Sequence, residues 1–186
     1  MGTLRLFCFP YSGANAWVYQ RWSDGLPGTI DVCPVELPGH GSLRAMPLLT
    51  RMDAMVEQVA RALLPYLGQP GQPFAFFGHS MGALLAFELA RYLRRENKPM
   101  PCYLFVSGHG APHLPDREPP IHDLPELEFV ARIKEFNGTP DEVLENQELR
   151  GLILPVLRAD FEICATYVHR PEEPLPCPIG AFGGLR

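Results

Sequence analysis

Short apolar runs alternate with longer stretches in which apolar residues recur every three or four positions, and this alternation organises residues 3–107. Thr3-Leu4-Arg5-Leu6-Phe7-Cys8-Phe9 reads as a strand that Pro10-Tyr11-Ser12-Gly13-Ala14-Asn15 stops with a loop. A helix is expected over 16–26, capped by Asn15 or Ser12 and carrying Trp17, Val18 and Trp22. Residues 30–36 read as a second strand, with Pro34 marking an irregular or edge position, and Leu37-Pro38-Gly39-His40-Gly41-Ser42 as a loop. In the clearest helix, Met52, Met55, Val56, Val59, Ala60, Leu63, Leu64 and Leu67 share one face at helical spacing. Thr50 with Asp53 approximates a capping box at its start, and Gly68 stops it. Residues 74–77 form a strand, 81–95 a helix apolar on most sides, and 102–107 a further strand. Strand, helix, strand, helix, strand in that order commits the core to the α/β class, with a mostly parallel sheet covered by helices.

The pattern changes after residue 107. A Pro- and His-rich loop over 108–124 opens a segment with three helical pieces. The first is 124–136. At the second, Thr139-Pro140-Asp141-Glu142 combines an N-cap, a proline at the first helical position and a capping-box Glu. The third, over 147–167, carries Leu149, Leu152, Ile153, Val156, Leu157, Phe161 and Cys164, and keeps its spacing on either side of Pro155, which is expected to kink it. A helical insertion between two core strands is where a lid over a site would sit; the alternative is a bundle that only thickens the domain. Residues 177–184 read as a last strand running out in a Gly-Gly loop. The chain, 1–186, thus reads as one domain with 108–170 inserted as a helical lid.

Composition narrows this picture. A chain of 186 residues suffices for one core and is short for two. A formal charge of −5 argues against a nucleic-acid or anionic-membrane surface. Arg91, Arg94 and Arg95 read as cations at the favourable end of a helix. The five cysteines are odd in number and form no C-x-x-C pair; Cys8, Cys33 and Cys102 lie in apolar runs expected to bury them as reduced thiols. No disulfide framework, zinc site, signal peptide or membrane span is expected, which suits a reducing cytosol.

The chemistry concentrates at Gly78-His79-Ser80-Met81-Gly82, a G-x-S-x-G pattern with a strand before it and a helix after it. Direct passage from strand to helix crowds the backbone at both glycines and presents the serine hydroxyl at a strained turn, with the helix N-terminus aimed at any oxyanion formed there. Ser80 is the expected nucleophile. The oxyanion donors are expected to be the backbone N–H groups of Met81 and of Tyr11 or Ser12. A serine needs a base, and a carboxylate to orient that base, normally downstream in the order Ser, Asp or Glu, His. The downstream histidines, His109, His113, His122 and His169, lie in loops that follow no suitable strand, and His79 reads as structural. The loop after Ser107 holds no acid, and Asp160 on the long third helix reads as solvated or packing.

Four motifs together resemble the type II thioesterases, stand-alone α/β-hydrolases associated with polyketide and nonribosomal peptide synthetases. They are Leu6-Phe7-Cys8-Phe9-Pro10-Tyr11-Ser12-Gly13, Glu36-Leu37-Pro38-Gly39-His40-Gly41, the run 73–82, and Leu154-Pro155-Val156-Leu157-Arg158-Ala159-Asp160-Phe161; Phe136-Asn137-Gly138-Thr139-Pro140 also fits. The resemblance implies an α/β-hydrolase fold and hydrolysis of acyl groups from the phosphopantetheine arm of carrier proteins, in a setting such as siderophore or other peptide assembly. Ser80 matches the nucleophile, and Met81 and Tyr11 the oxyanion positions. It implies acyl or peptidyl carrier domains as partners, no cofactor beyond the pantetheine on the substrate, a cytoplasmic location and a monomer. The departure is at the end: the family's Asp and Gly-Gly-His segments have no counterpart, so the sequence looks like a member cut short by about a quarter, with residues 1–186 expected to be inactive. Two other readings stay open, an inactive carrier-binding remnant and a generic serine esterase or acyltransferase on the same fold.

Overall fold

The computed structural model describes residues 3–114 and 119–184. Five strands form one parallel sheet in the order β2-β1-β3-β4-β5: β1 (Leu4–Phe9), β2 (Ile30–Pro34), β3 (Phe74–His79), β4 (Tyr103–Ser107) and β5 (Ile179–Phe182). Strand alternation sends Phe7, Phe9, Phe74, Phe76 and Leu104 into one apolar cluster, and Leu6, Cys8, Ala75 and Phe77 into another. The first face is covered by α1 (Met52–Leu63) and α2 (Met81–Arg95), whose Met55, Val56, Leu85 and Leu89 join the phenylalanines. The rings meet edge to face, Phe9 on Phe76 at 5.3 Å and Phe7 on Phe74 at 6.2 Å. Each such buried side chain contributes roughly 1.5–3 kcal/mol by leaving water. This is the layered α/β architecture that the hydrophobic pattern predicts.

The expected helix over 16–26 is instead two 3₁₀ turns, Ala16–Tyr19 and Trp22–Gly25. A three-residue repeat stacks Tyr19 and Trp22 on one side, where both pack on Phe77 of the second face, at 5.8 and 4.7 Å. Trp17 points away from this contact and is 70% exposed. The Tyr19 hydroxyl donates to the Phe9 carbonyl at 2.8 Å, pinning the first turn to the end of β1. Asn15 caps that turn, its side chain accepting from Trp17 N.

Two expected caps do not form. Arg51, extended and without a side-chain bond, takes the N-cap of α1; Asp53 accepts from its neighbour Ala54 N, and the Thr50 carbonyl is engaged by Thr166 Oγ1. At the second helical piece, α4 (Asp141–Glu145) begins one residue later than Thr139 and Pro140 suggest, with Pro140 itself at the N-cap. The Pro140 carbonyl accepts from Val143 and Leu144, and an N–H at this position would have no partner within the helix, so its absence costs nothing there. Cys102 is also misplaced by the pattern: it lies just before β4 and is exposed, while Cys8 is fully buried and Cys33 partly so.

Between β4 and β5 lie α3 (Glu126–Phe136), α4 and α5 (Gln147–Ala165). They share a cluster of their own, built on Ile121, Phe129, Ile133, Leu144, Leu154 and Leu157. Asn146 caps α5 by accepting from Glu148 N and Leu149 N. The helix continues past Pro155, and residue 151, whose carbonyl the proline leaves without a helical donor, is an exposed glycine. Farther along, Ile163 belongs to the main core, so α5 bridges the two clusters.

The arginines of α2 do more than complement its dipole. Arg91, only 3% exposed, pairs with Glu88 and Glu172 and reaches the Arg170 carbonyl. Arg94 and Arg95 also pair with Glu172, and Arg94 reaches the carbonyls of Glu173 and Pro174. Together they hold the segment that delivers the chain from α5 to β5. Among the described residues no helix is long and apolar enough to cross a membrane.

Candidate active site

β3 ends at His79 and α2 begins at Met81, so Ser80 alone makes the turn, at φ 53° and ψ −121°. That conformation is rare for a residue with a Cβ. Crowding enforces it. A Cβ on Gly78 would fall 2.0 Å from the Gly82 carbonyl oxygen, and one on Gly82 would fall 2.2 Å from that of Phe9. Ser80 is fixed on both sides, its N–H donating to Ser107 O at 2.8 Å and its carbonyl accepting from Ala83 N at 2.9 Å. Ser80 is partly buried, and no hydrogen bond to its Oγ is made among the described residues.

The two N–H groups expected to face an oxyanion come from opposite sides of this turn. Met81 is the first residue of α2, where an amide has no partner inside the helix. Tyr11 lies two residues beyond β1 and opens the turn Tyr11-Ser12-Gly13-Ala14, closed by Ala14 N donating to Tyr11 O at 3.0 Å. Gly13 holds its third position at φ 77°, as a type II turn requires.

His79 is packed under Gly108, with Nδ1 3.1 Å from Ser107 Oγ and its ring edge-on to Tyr11. His109 bonds the Gly110 carbonyl, and His169 stacks on Phe87 beside His113. None of these rings is hydrogen-bonded to Ser80. The thiols are poor competitors for the role of nucleophile: burial pushes Cys8 up to about 12 and Cys33 up to about 11.

Of the two readings of Asp160, solvated or packing, the solvated one fails. The residue is fully buried, and its Oδ2 accepts from Gly13 N at 2.7 Å and meets His40 Nε2 at 2.9 Å. His40 is itself 3% exposed, with Nδ1 3.0 Å from the Pro38 carbonyl. A carbonyl can only accept, so Nδ1 carries a proton. Burial pushes the imidazole down, but the hydrogen bond to Asp160 and its charge, with Pro38 O and Glu36, outweigh it and hold His40 above its ordinary value. A signal was available in the sequence. Asp160 falls on the apolar stripe of α5, between Leu157 and Ile163, where a charge needs a buried partner.

Glu36 completes the support. It accepts from Ala16 N and Ser42 N, both at 3.1 Å, and lies where a Cβ on Gly41 would intrude. Between these loops and the helical segment is a cavity of about 480 Å³, lined by Gly13, His40, Leu48, Val143, Leu152 and Val156 among others.

A parallel sheet that passes through one strained serine into a buried helix is the α/β-hydrolase arrangement. The sequence profile named "Thioesterase domain" matches residues 4–182, and the chain belongs to that family. It is 49% identical over 182 residues to the linear gramicidin dehydrogenase LgrE of Brevibacillus parabrevis, covering 96% of this chain and 68% of that one. It is 45% identical to the gramicidin S biosynthesis protein GrsT of Aneurinibacillus migulanus, covering 97% and 70%. The solved type II thioesterase BorB of the borrelidin cluster superposes with a TM-score of 0.85 at 35% identity, over 98% of this chain and 73% of that one.

Proposed function

We propose that this protein hydrolyses acyl groups from the phosphopantetheine thiol of carrier proteins serving peptide or polyketide assembly, through Ser80. The observation that carries the reading is the strained Ser80, set between the unpartnered amide of Met81 and the Tyr11–Ala14 turn, in a chain of the thioesterase family. Ser80 Oγ attacks the thioester carbonyl while a base takes its proton. The carbonyl oxygen becomes an oxyanion between the Met81 and Tyr11 amides, and the C–S bond then breaks to release the pantetheine thiol. Water hydrolyses the resulting acyl-serine. We place α3, α4 and α5 as a lid over the site. The reading includes a carrier domain as partner, a monomer and a cytoplasmic location.

Among the described residues no imidazole or carboxylate is hydrogen-bonded to Ser80 Oγ. Residues 1–186 alone are therefore expected to hydrolyse an acyl-carrier thioester no faster than their Ser80→Ala variant, since a triad without its base loses several orders of magnitude. Added imidazole supplies a base from solution. It is expected to raise the rate of the unmodified chain, leave Ser80→Ala unchanged, and act more on an acyl-pantetheine thioester than on a simple oxygen ester. Mass analysis of the carrier's pantetheine arm reads the result. A serine-dependent rate without imidazole would place a base inside residues 1–186; no serine-dependent rate in either condition would overturn the reading.

A further inference from the structure

We infer that Asp160 is a positioning residue for the oxyanion loop, tying the seating of α5 to the placement of the Tyr11 amide; this rests on the reading of Ser80 given above. Three observations converge on the contact. The Asp160 carboxylate takes the Gly13 amide at 2.7 Å, although 147 residues separate them. One turn earlier on α5, Leu157 packs on the bare Cα of Gly13, where a Cβ would lie 2.4 Å from Leu157 Cδ2. The same carboxylate oxygen holds His40 Nε2 at 2.9 Å, which ties in the loop after β2. Asp160 is fully buried and His40 nearly so, while Gly13 is partly buried at the edge of the cavity.

Gly13 is also the third residue of the turn that Tyr11 opens. Rotation of that turn swings the Tyr11 peptide, and with it one of the two donors. Met81 is fixed independently by the crowded elbow, so the separation of the two amides depends on what holds the turn. Within the turn itself only the Ala14-to-Tyr11 hydrogen bond does so. From outside, α5 does, by Leu157 against the glycine and by Asp160 on its amide. Asp160 sits where α5 leaves the small cluster of the lid and enters the main core, with Leu157 on one side and Ile163 on the other. A shift of α5 therefore cannot leave Gly13 behind. The His40 imidazolium neutralises the carboxylate so that it can remain in this apolar position, and the Pro38 carbonyl aims the ring.

The test compares the unmodified chain with Asp160→Asn, which keeps the shape but replaces the charged oxygen bonded to both Gly13 and His40 with a neutral, weaker acceptor, and with Leu144→Ala, which empties a buried site elsewhere in the lid. The first readout is amide exchange at Ala14, whose hydrogen bond is to Tyr11 and not to Asp160. Relative to the strand amides of Phe7 and Phe76, exchange at Ala14 is expected to accelerate about tenfold or more in Asp160→Asn and not in Leu144→Ala. Loss of protection at Gly13 alone, with Ala14 unchanged, would overturn the proposal. So would equal acceleration in Leu144→Ala, which would make the effect one of general stability.

The second readout is binding of butylboronic acid, followed by the boron NMR shift from trigonal to tetrahedral. Ser80 Oγ adds to boron, the hydroxyl proton goes to solvent, and the tetrahedral anion places a negative oxygen between the two donors. Asp160→Asn is expected to bind about tenfold more weakly, less than the roughly 10²–10³-fold loss that outright removal of an oxyanion donor causes. Unchanged affinity would overturn the proposal. Equal uptake by the unmodified chain and by Ser80→Ala would instead remove the reading of Ser80, and exchange at Ala14 would still decide the role of Asp160.

Discussion

Replacing Gly82 by alanine is expected to leave little or no folded protein. The added Cβ would fall 2.2 Å from the Phe9 carbonyl oxygen and 2.6 Å from that of Pro10. These are backbone atoms, and neither side can yield. Phe9 is paired to β3 through its register with Gly78, and α2 is seated by Leu84, Leu85 and Leu89 in the main core. Overpacking by a methyl group usually costs about 1–3 kcal/mol where side chains can adjust. Here the strand and helix would have to separate, so the loss should exceed about 4 kcal/mol, out of a total near 5–15. Soluble yield and urea midpoint measure it. The control is Ala86→Gly in the same helix, expected to cost only about 1 kcal/mol from propensity, plus a small cavity. A folded Gly82→Ala variant with a near-normal midpoint would mean that the elbow is not so tight.

The second large effect is a dependence of stability on pH, with a sign set by His40. Its imidazole is held above the ordinary value of about 6.5 in the folded protein. The stabilisation is therefore fully present below about 6.5 and is lost as pH rises through the folded value. The groups acting on the ring are Asp160, the Pro38 carbonyl and Glu36, all of which favour the protonated form. The thermal midpoint is expected to fall between about pH 6 and pH 8, by about 2–4 °C for each kcal/mol lost in a chain of this size. Staying below pH 8 keeps Cys8 and Cys33 out of the measurement, since their thiols begin to titrate in the unfolded chain above that point. Asp160→Ala, which leaves the buried imidazole without its partner, should cost about 3–5 kcal/mol at the low end of the range and flatten the pH dependence. A midpoint that rose from pH 6 to pH 8 in the unmodified protein would contradict the assignment of the charged pair.

Much of the fold follows from local pattern. The strands, the stripe on α1, the apolar α2 and the elbow are decided within a few residues, by period and by the two glycines. What could not be read was set by contacts distant in the chain. Thr50 offers a good cap by type, yet its backbone is engaged by Thr166, 116 residues away. The stretch 16–26 has helical composition, but it breaks into two short turns whose Tyr19 and Trp22 pack on Phe77, 58 and 55 residues further along the chain. The site divides in the same way. Ser80 and Met81 are neighbours along the chain, and the motif announces them. His40 and Asp160 are 120 residues apart, and only their buried geometry joins them. Their types were legible, as a histidine in a Gly-His-Gly loop and an acid on an apolar stripe, but nothing local says that the two meet.

The positive φ at Ser80 has a consequence for how this sequence can drift. A residue with a Cβ held in such a region costs of order 1–3 kcal/mol, and glycine would relieve most of that cost. Among replacements at position 80, the one that best relaxes the backbone is thus also one that removes the hydroxyl. Stability and chemistry pull in opposite directions at this single residue, so random substitution under selection for folding alone would tend to erase the serine while leaving the flanking glycines in place.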